Sequence, residues 1–596
     1  MLRQQLKRRE RQGQVTTVRD FKGGWNTVDN EFNMAPRYAR VLRNALRQTD
    51  GTIGPRWGTE WFASIESLDI GKIINIDYFS TYIVGATDEG NIFAVDGQGT
   101  IFEIWNDAIA ATQVGAPVGW SANTFTCFTP FKNQLVVCNG IDKPLVIDRY
   151  LNVRYLHDLA TGSNLNTPIG RYAAAAVGDD FGYLVIAGDP TDRALLHIGH
   201  SDAIGTFLND TAPNDAVQFD LSAKVTNGSD IIRGLKFYRD RLLVGFDEVV
   251  IAVQLGVYNS GGDHTPQVTD VIEGNGCIGH RTMHAVVEDI YMASNHNANY
   301  ITRAKLSTSL VGEDAGELIQ PELQKALQRL SEGTLEDRVF AVNNHNEKQW
   351  MLFVPNDDQS DRTTESLGFI YSQGRPGAWA EARHWNWRAG CTTLQNNVFF
   401  ASDYDLYRYG KEASPIYREY VDDQETFTDG TKFTDHTGFT PVGDDSGLPI
   451  SWHWELPWAD FDKRLTLKKS MFLTVDAEGR GAFNTKMYID NIYLDPDDMG
   501  EPFTDGYFFT DDTGFIRVEP QTVPALEQMF VGGDRGGFGV DAFGELFGGG
   551  NKTNLPKNYR WPARFKIAKL RFDGDTNERL RIAAFSIAYT AGGLRR

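Results

Sequence analysis

Seven short runs of strand-forming residues recur along the chain, at residues 82–85, 134–137, 183–186, 241–244, 289–292, 349–352 and 397–400. Each is followed by turn formers and a second apolar run, as Ala86-Thr87-Asp88-Glu89-Gly90 leads into Asn91-Ile92-Phe93-Ala94-Val95. Successive starts lie about 50 residues apart, the spacing of propeller blades and too long for a ladder of hairpins. A chain patterned in this way is mainly β, and a β-propeller-like domain of six or seven blades over residues 63–415 accounts for it most simply. A blade needs little beyond a buried strand, so the runs agree in pattern and hardly in identity.

Two stretches depart from the pattern. Pro321 to Leu330 places Leu323, Ala326, Leu327 and Leu330 at helical spacing after a proline, which predicts one amphipathic helix packed on its parent domain. From Ser451 the chain becomes rich in aromatic strands (Trp452, Trp454, Trp458, Phe461), and it ends in strands at 564–570 and 581–589. Residues 416–596 therefore read as a second module, a β-sandwich or barrel, with few short helices anywhere.

Within that module a thirteen-residue segment is duplicated. Phe427, Asp429, Phe433, Asp435 and Phe439 recur as Phe503, Asp505, Phe509, Asp511 and Phe515, and the two copies differ at three positions only. Asp-Gly and Thr-Gly supply turns, so each copy predicts a compact hairpin-like loop anchored by phenylalanines. The alternative is a calcium site on Asp429, Asp435, Asp505, Asp511 and Asp512, although the spacing is not that of an EF-hand. Further on, Gly532, Gly533, Gly536, Gly537, Phe538, Phe543 and Phe547 form a mobile glycine-rich loop with spaced aromatics. No Gly-Lys-Ser/Thr follows it, so it is not a phosphate-binding loop.

The net charge of −21 is unevenly distributed. Residues 1–61 carry 12 Lys/Arg against 6 Asp/Glu, residues 555–596 carry 10 against 3, and residues 420–515 carry 7 against 20. An acidic surface repels phosphate, whereas the basic arm at residues 1–19 suits an acidic subunit face or nucleic acid. Arg37, Arg40, Arg43 and Arg47 would form a stripe on a helix, but the Asp50-Gly51 turn predicts a hairpin that dissolves it. Cys127, Cys138, Cys277 and Cys391 show no zinc or Cys-x-x-Cys spacing and read as buried free thiols of a protein assembled in a reducing cytoplasm, with Cys127 and Cys138 facing each other on neighbouring strands. The first thirteen residues lack the apolar core of a signal peptide, and no run is long enough to span a bilayer. Catalytic patterns are missing. His197 and His200 lack the glutamate of a metalloprotease helix, His280 and His284 lack an acid partner, and Gly-x-Ser-x-Gly does not occur. No enzyme activity, cofactor or resident metal is expected.

The block at residues 20–62 is the most specific in the chain. It contains Gly23-Gly24-Trp25-Asn26-Thr27, then Asn33-Met34-Ala35-Pro36, Arg43-Asn44 and Arg56-Trp57-Gly58-Thr59. Asn33 and Pro36 predict the start of a short helix, and Trp25 and Trp57 are anchors that would pin the block to the first blade. Gly23, Gly24, Asn26, Asn44, Arg56, Gly58 and Thr59 resemble the amino-terminal signature of the tail tubular protein B, or nozzle, family of short-tailed bacteriophages. The Pro457-Trp458-x-Asp460-Phe461 segment, Lys468-Lys469 and the closing Ile587-Ala588-Tyr589 resemble that family's final module.

The resemblance implies a structural protein of the virion tail, assembled in the host cytoplasm as a homohexamer beneath a tail adaptor ring. Tail fibre proteins would attach near that junction, and double-stranded DNA would pass through the lumen without sequence-specific contacts. On this reading the propeller forms the ring wall, the final module forms the nozzle, and the loop around Phe538 gates the DNA. Six copies at −21 each would line part of the lumen with charge that lets DNA slide. Two other classes remain open from the residues alone: a propeller glycosidase or lyase acting on surface glycan, and a monomeric receptor-binding propeller.

Overall fold

A computed structural model describes residues 14–19, 21–31, 33–48, 51–106, 120–122, 125–159, 167–177, 182–201, 204–207, 216–225, 231–274, 276–286, 288–295, 297–303, 310–330, 337–355, 366–373, 377–385, 387–410, 418–419, 448–459, 468–479, 481–490, 508–510, 516–518, 526–531, 557–560, 564–565, 567–576 and 580–591. Each of the seven runs read from the sequence is the second strand of a four-stranded antiparallel blade, and seven blades are found among the described residues. Blade 1 comprises Ile73–Phe79, Tyr82–Thr87, Ile92–Val95 and Ile101–Trp105. Blades 2 to 6 begin at Cys127–Phe131, Tyr172–Val177, Gly234–Tyr238, His284–Val286 and Phe340–Asn344. Blade 7 takes Ala389–Thr392, Val398–Ala401 and Asp405–Tyr409 from the end of the ring, and its outer strand is Thr59–Ser64. The ring is thus closed by a strand that precedes blade 1 in sequence, and the propeller begins slightly before residue 63.

The second strands read as unbroken apolar runs because both faces of a blade lie against neighbouring blades. Gln349–Pro355, the second strand of blade 6, is buried at every position, as is Ile92–Val95, the third strand of blade 1. The core is accordingly a set of inter-blade layers. Val84, Ile92 and Ala94 meet Leu135, Val137 and Leu145 between blades 1 and 2, and Ile83, Phe93 and Val95 meet Cys391, Phe399 and Leu406 between blades 1 and 7.

The outer strands of blades 6 and 7 do not end the sheet. Val41–Arg43 pairs with the outer strand of blade 6, Leu448–Glu455 pairs with Val41–Arg43, and Arg418–Glu419 joins Leu448–Glu455 to Thr59–Ser64. Blades 6 and 7 are therefore bridged edge to edge. The bridge continues into the last module through Ile567–Thr576 and Gly481–Asp490. Lys468–Gly479 and Leu580–Ala591 make a second sheet, and Phe585 of this sheet packs on Trp454 and Phe572 of the first, with Phe572 and Trp454 rings 4.9 Å apart. Two sheets facing each other across aromatic side chains form the expected sandwich, but it shares one continuous core with blades 6 and 7 rather than standing apart.

Three expectations are corrected. Residues 14–18 are not part of a free arm: Gln14–Val18 pairs antiparallel with Leu580–Ala591. No helix starts after Asn33; residues 33–37 form turns that lead into Tyr38–Ala39. Trp25 and Trp57 pack with blade 6 and the last module instead of blade 1, and Trp25 stacks on Phe369 at 6.4 Å. The helix Gln320–Gln328 forms as its pattern predicts, with Leu323, Ala326 and Leu327 buried. The hairpin of Ala45–Arg47 with Ile53–Pro55 likewise replaces an arginine stripe, and Arg40 and Arg43 pair with Glu31 and Glu381.

Candidate functional site

The signature residues converge on the junction of propeller and last module. Asn44 has a left-handed backbone (φ 50°), which asparagine tolerates better than most residues. Its side chain is buried and joins three parts of the chain. Oδ1 accepts from Arg56 Nε at 3.0 Å and from the Arg383 backbone N–H at 2.9 Å, and Nδ2 donates to the Ser451 carbonyl at 2.8 Å. Arg56 is fully buried; it donates to the Trp57 and Arg383 carbonyls, and its guanidinium lies 4.3 Å from the Trp385 ring centre. Glu381 receives Arg43 and Arg383 at 3.0 and 2.7 Å. A polar node of this kind is favourable only when its members are satisfied together, so it fixes one register between blade 6 and the last module.

The other signature residues set the backbone around the node. Asn26 closes a turn by accepting from Val28 and Asp29 N–H. The Gly58 carbonyl accepts from Gly410, and Thr59 opens the outer strand of blade 7. Gly23 lies under the Tyr38 ring, and Gly24 (φ 67°) runs so close to blade 6 that a Cβ would sit 2.8 Å from Ala378 Cα. Gly24→Ala is expected to cost about 3 kcal/mol in urea denaturation, because both the conformation and the space exclude a methyl group.

The duplicated loops and the glycine-rich loop fall largely outside the described residues. Gly532, Gly533, Gly536, Gly537, Phe538, Phe543 and Phe547 lie outside them, as do Phe427, Asp429, Phe433, Asp435, Phe439, Phe503, Asp505, Asp511, Asp512 and Phe515. Phe509 belongs to Phe508–Thr510, which pairs antiparallel with Ile516–Val518. Among the described residues no group of three or more His, Cys, Asp or Glu is placed to hold a metal, and no helix is long and apolar enough to cross a membrane.

A second polar centre, which no sequence motif announced, lies on the propeller axis. The first strands of the blades surround it, and the short turn His280–Thr282 fills the gap between blades 4 and 5. From this turn Arg281 reaches across the ring. Nη1 donates to the carbonyls of Ile74 (3.1 Å, blade 1) and Asp337 (2.9 Å, ahead of blade 6), and Nη2 donates to Arg388 (2.7 Å, ahead of blade 7). All three acceptors lie at or just before the start of a first strand, so Arg281, 8 % exposed, closes that mouth of the channel. Farther along the first strands Asp77, Ala175, Lys236, Ala285 and Thr392 are half-buried.

Burial pushes the Asp77 carboxyl up to about 6, against the opposing pull of the Tyr78 N–H and Lys236; burial also lowers Lys236, against the attraction of Asp77. Asp77 stands on the first strand of blade 1 and Lys236 on the first strand of blade 4, and among the described residues neither makes an ion pair. Burial, with the charges of Lys236 and Arg281 behind it, lowers His280 to about 3; burial and Lys236 lower His284 to about 3, so both imidazoles are neutral. His280 Nδ1 accepts from Leu235 N–H and His284 Nε2 donates to the Arg281 carbonyl, which makes them supports of the turn. His197 pairs with Asp189 at 3.3 Å inside blade 3. The four cysteines are buried free thiols, and Cys127 stands directly opposite Cys138.

A raised carboxyl pKa means that the folded state holds the proton more tightly than the unfolded chain. The resulting cost is complete above pH 6 and disappears as pH falls towards 3.8. Asp77→Asn is therefore expected to stabilise the protein by about 1–2 kcal/mol at pH 8 and by nothing measurable at pH 4, read by thermal melting across that range.

No family model and no curated protein matches the chain. Among solved structures it is similar to streptogramin B lyase, at 9 % identity over 60 % of this chain and 98 % of that one, with a TM-score of 0.35. It is also similar to BamB from Moraxella catarrhalis, at 10 % identity over 67 % and 98 % with a TM-score of 0.32, and to YCF48 bound to D1 peptide, at 9 % over 60 % and 96 % with a TM-score of 0.33.

Proposed function

We propose that the chain is a structural subunit of a short-tailed phage tail, the nozzle protein, assembled as a hexamer between an adaptor ring and the tail tip. The observation that carries this reading is the use made of the signature residues. Asn44, Arg56, Gly24 and Thr59 lock the propeller to the last module in one register, as the wall of a tube requires. Arg281 also bears on the path of DNA. With one mouth of the propeller axis closed, DNA would run between subunits and not along that axis.

The test is mass spectrometry and electron microscopy of virions made by the phage that carries this gene. The chain is expected in six copies beneath the adaptor; its absence from virions, or hydrolysis of host glycan by the purified protein, would overturn the reading. Virions whose nozzle lacks residues 532–550 are expected to lose their genome before contact with a host, measured as free DNA after purification. Retention of the genome would remove the gate assignment and leave the structural role intact.

A further inference from the structure

We propose that Cys127 and Cys138 are a redox-sensitive pair, two thiols in a reducing medium and a cross-strand disulfide in an oxidising one. They stand directly opposite each other on the first and second strands of blade 2. Their side chains share one face of the hairpin: Cys127, Val136 and Cys138 belong to the layer against blade 3, whereas Phe128, Leu135 and Val137 belong to the layer against blade 1. Cys277 and Cys391 lie in other layers, each without a second cysteine.

The turn of the hairpin fixes how closely the pair approaches. Lys132 and Asn133 have φ of 47° and 60°, a tight two-residue turn, so Phe131 and Gln134 exchange both backbone hydrogen bonds and every second pair after them does the same. Pro130, which has no N–H, falls on a pair that exchanges none. Cys127 and Cys138 fall on an exchanging pair, whose Cα atoms lie about 5.5 Å apart, inside the range of about 4.4–6.8 Å that a disulfide spans. Their Cβ atoms, also about 5.5 Å apart in such a pair, must close by about 1 Å. A bond made under that strain is one that small thiols reduce again. In the reduced protein Cys127 Sγ donates to the Ala173 carbonyl of blade 3 at 3.9 Å, so oxidation exchanges a contact between blades for a bond within one. Burial pushes the Cys127 thiol up to about 11 and raises Cys138 as well, so the closed hairpin is inert and exchange takes place when it opens.

The oxidant is a small-molecule disulfide such as oxidised glutathione. One cysteine thiolate attacks it and releases one glutathione thiolate; the other cysteine thiolate then attacks the mixed disulfide and releases the second. Two electrons pass from the cysteines to the oxidant, and the two cysteine protons end on the released glutathione thiols. This inference is independent of the phage reading, since it rests only on blade 2. The experiment equilibrates the full chain with oxidised or with excess reduced glutathione, alkylates all free thiols in denaturant, and maps tryptic peptides by mass spectrometry. Lys132 lies between the two cysteines, so trypsin separates them unless a disulfide joins them. Oxidised glutathione is expected to give joined peptides in most molecules while Cys277 and Cys391 are alkylated, and excess reduced glutathione should abolish the joined form. Alkylation of both Cys127 and Cys138 after oxidation overturns the proposal. So do linkages that involve Cys277 or Cys391, and so does a disulfide that excess reduced glutathione leaves intact.

Discussion

Asn44→Ala is expected to cost about 4 kcal/mol of stability, the largest effect of any single substitution at the junction. Three hydrogen bonds are lost, at about 1 kcal/mol each, and alanine is less suited than asparagine to φ 50°. The remaining cost falls on Arg56, a buried guanidinium left with an unfilled donor. Three variants separate these causes in urea denaturation followed by tryptophan fluorescence. Asn44→Gly restores the backbone freedom and should recover about 1 kcal/mol. Asn44→Asp keeps the acceptor for Arg56 and Arg383 and loses only the bond to Ser451, so it should cost half as much as alanine or less. Equal losses for alanine and aspartate would show that the contact with Arg56 contributes nothing.

Arg281→Met should cost about 3 kcal/mol, because the carbonyls of Ile74, Asp337 and Arg388 lose their donors together inside the ring. Lysine should recover little of this, since one ammonium cannot reproduce the forked guanidinium that reaches three carbonyls from the adjoining blades 6, 7 and 1. The local consequence is more specific than the global one. Amide hydrogen exchange should accelerate at the starts of the first strands of blades 1, 6 and 7 and remain unchanged in the outer strands of blades 2 and 3. Uniform acceleration over the whole ring would show that Arg281 supports general packing and does not close the channel.

How far the sequence revealed this arrangement depends on which forces left a pattern in it. The second strand of each blade was legible because burial on both faces demands a continuous apolar run, as at residues 241–244. The amphipathic helix was legible from Leu323, Ala326 and Leu327 for the corresponding reason. The closing strand of blade 7 was not, because Thr59–Ser64 alternates in exposure and finds its partner more than 300 residues away. The block at residues 20–62 stood out by its residues, yet its position was misjudged. Nothing local in Trp25 distinguishes blade 1 from blade 6 as a packing surface. Arg281, Asp77 and Lys236 escaped notice altogether, since a charged residue acquires meaning on an axis only when seven distant strands are brought round it. His280 and His284 did draw attention by their spacing, and the outer signal proved to be a support for the arginine between them.

The pairing of Gln14–Val18 with Leu580–Ala591 has a consequence in time. Ribosomal synthesis delivers Gln14–Val18 long before its partner, with 569 residues between Thr17 and Ser586, so the pair is slow to form. Blade 7 can close once Tyr409 has emerged, but Gln14–Val18 has no ladder until Leu580–Ala591 leaves the ribosome. A polypeptide interrupted before Leu580–Ala591 is thus left with an unpaired strand edge at Gln14–Val18. Arrival of Leu580–Ala591 is itself the event that hides this edge, and a copy cut short before it is marked for aggregation or capture.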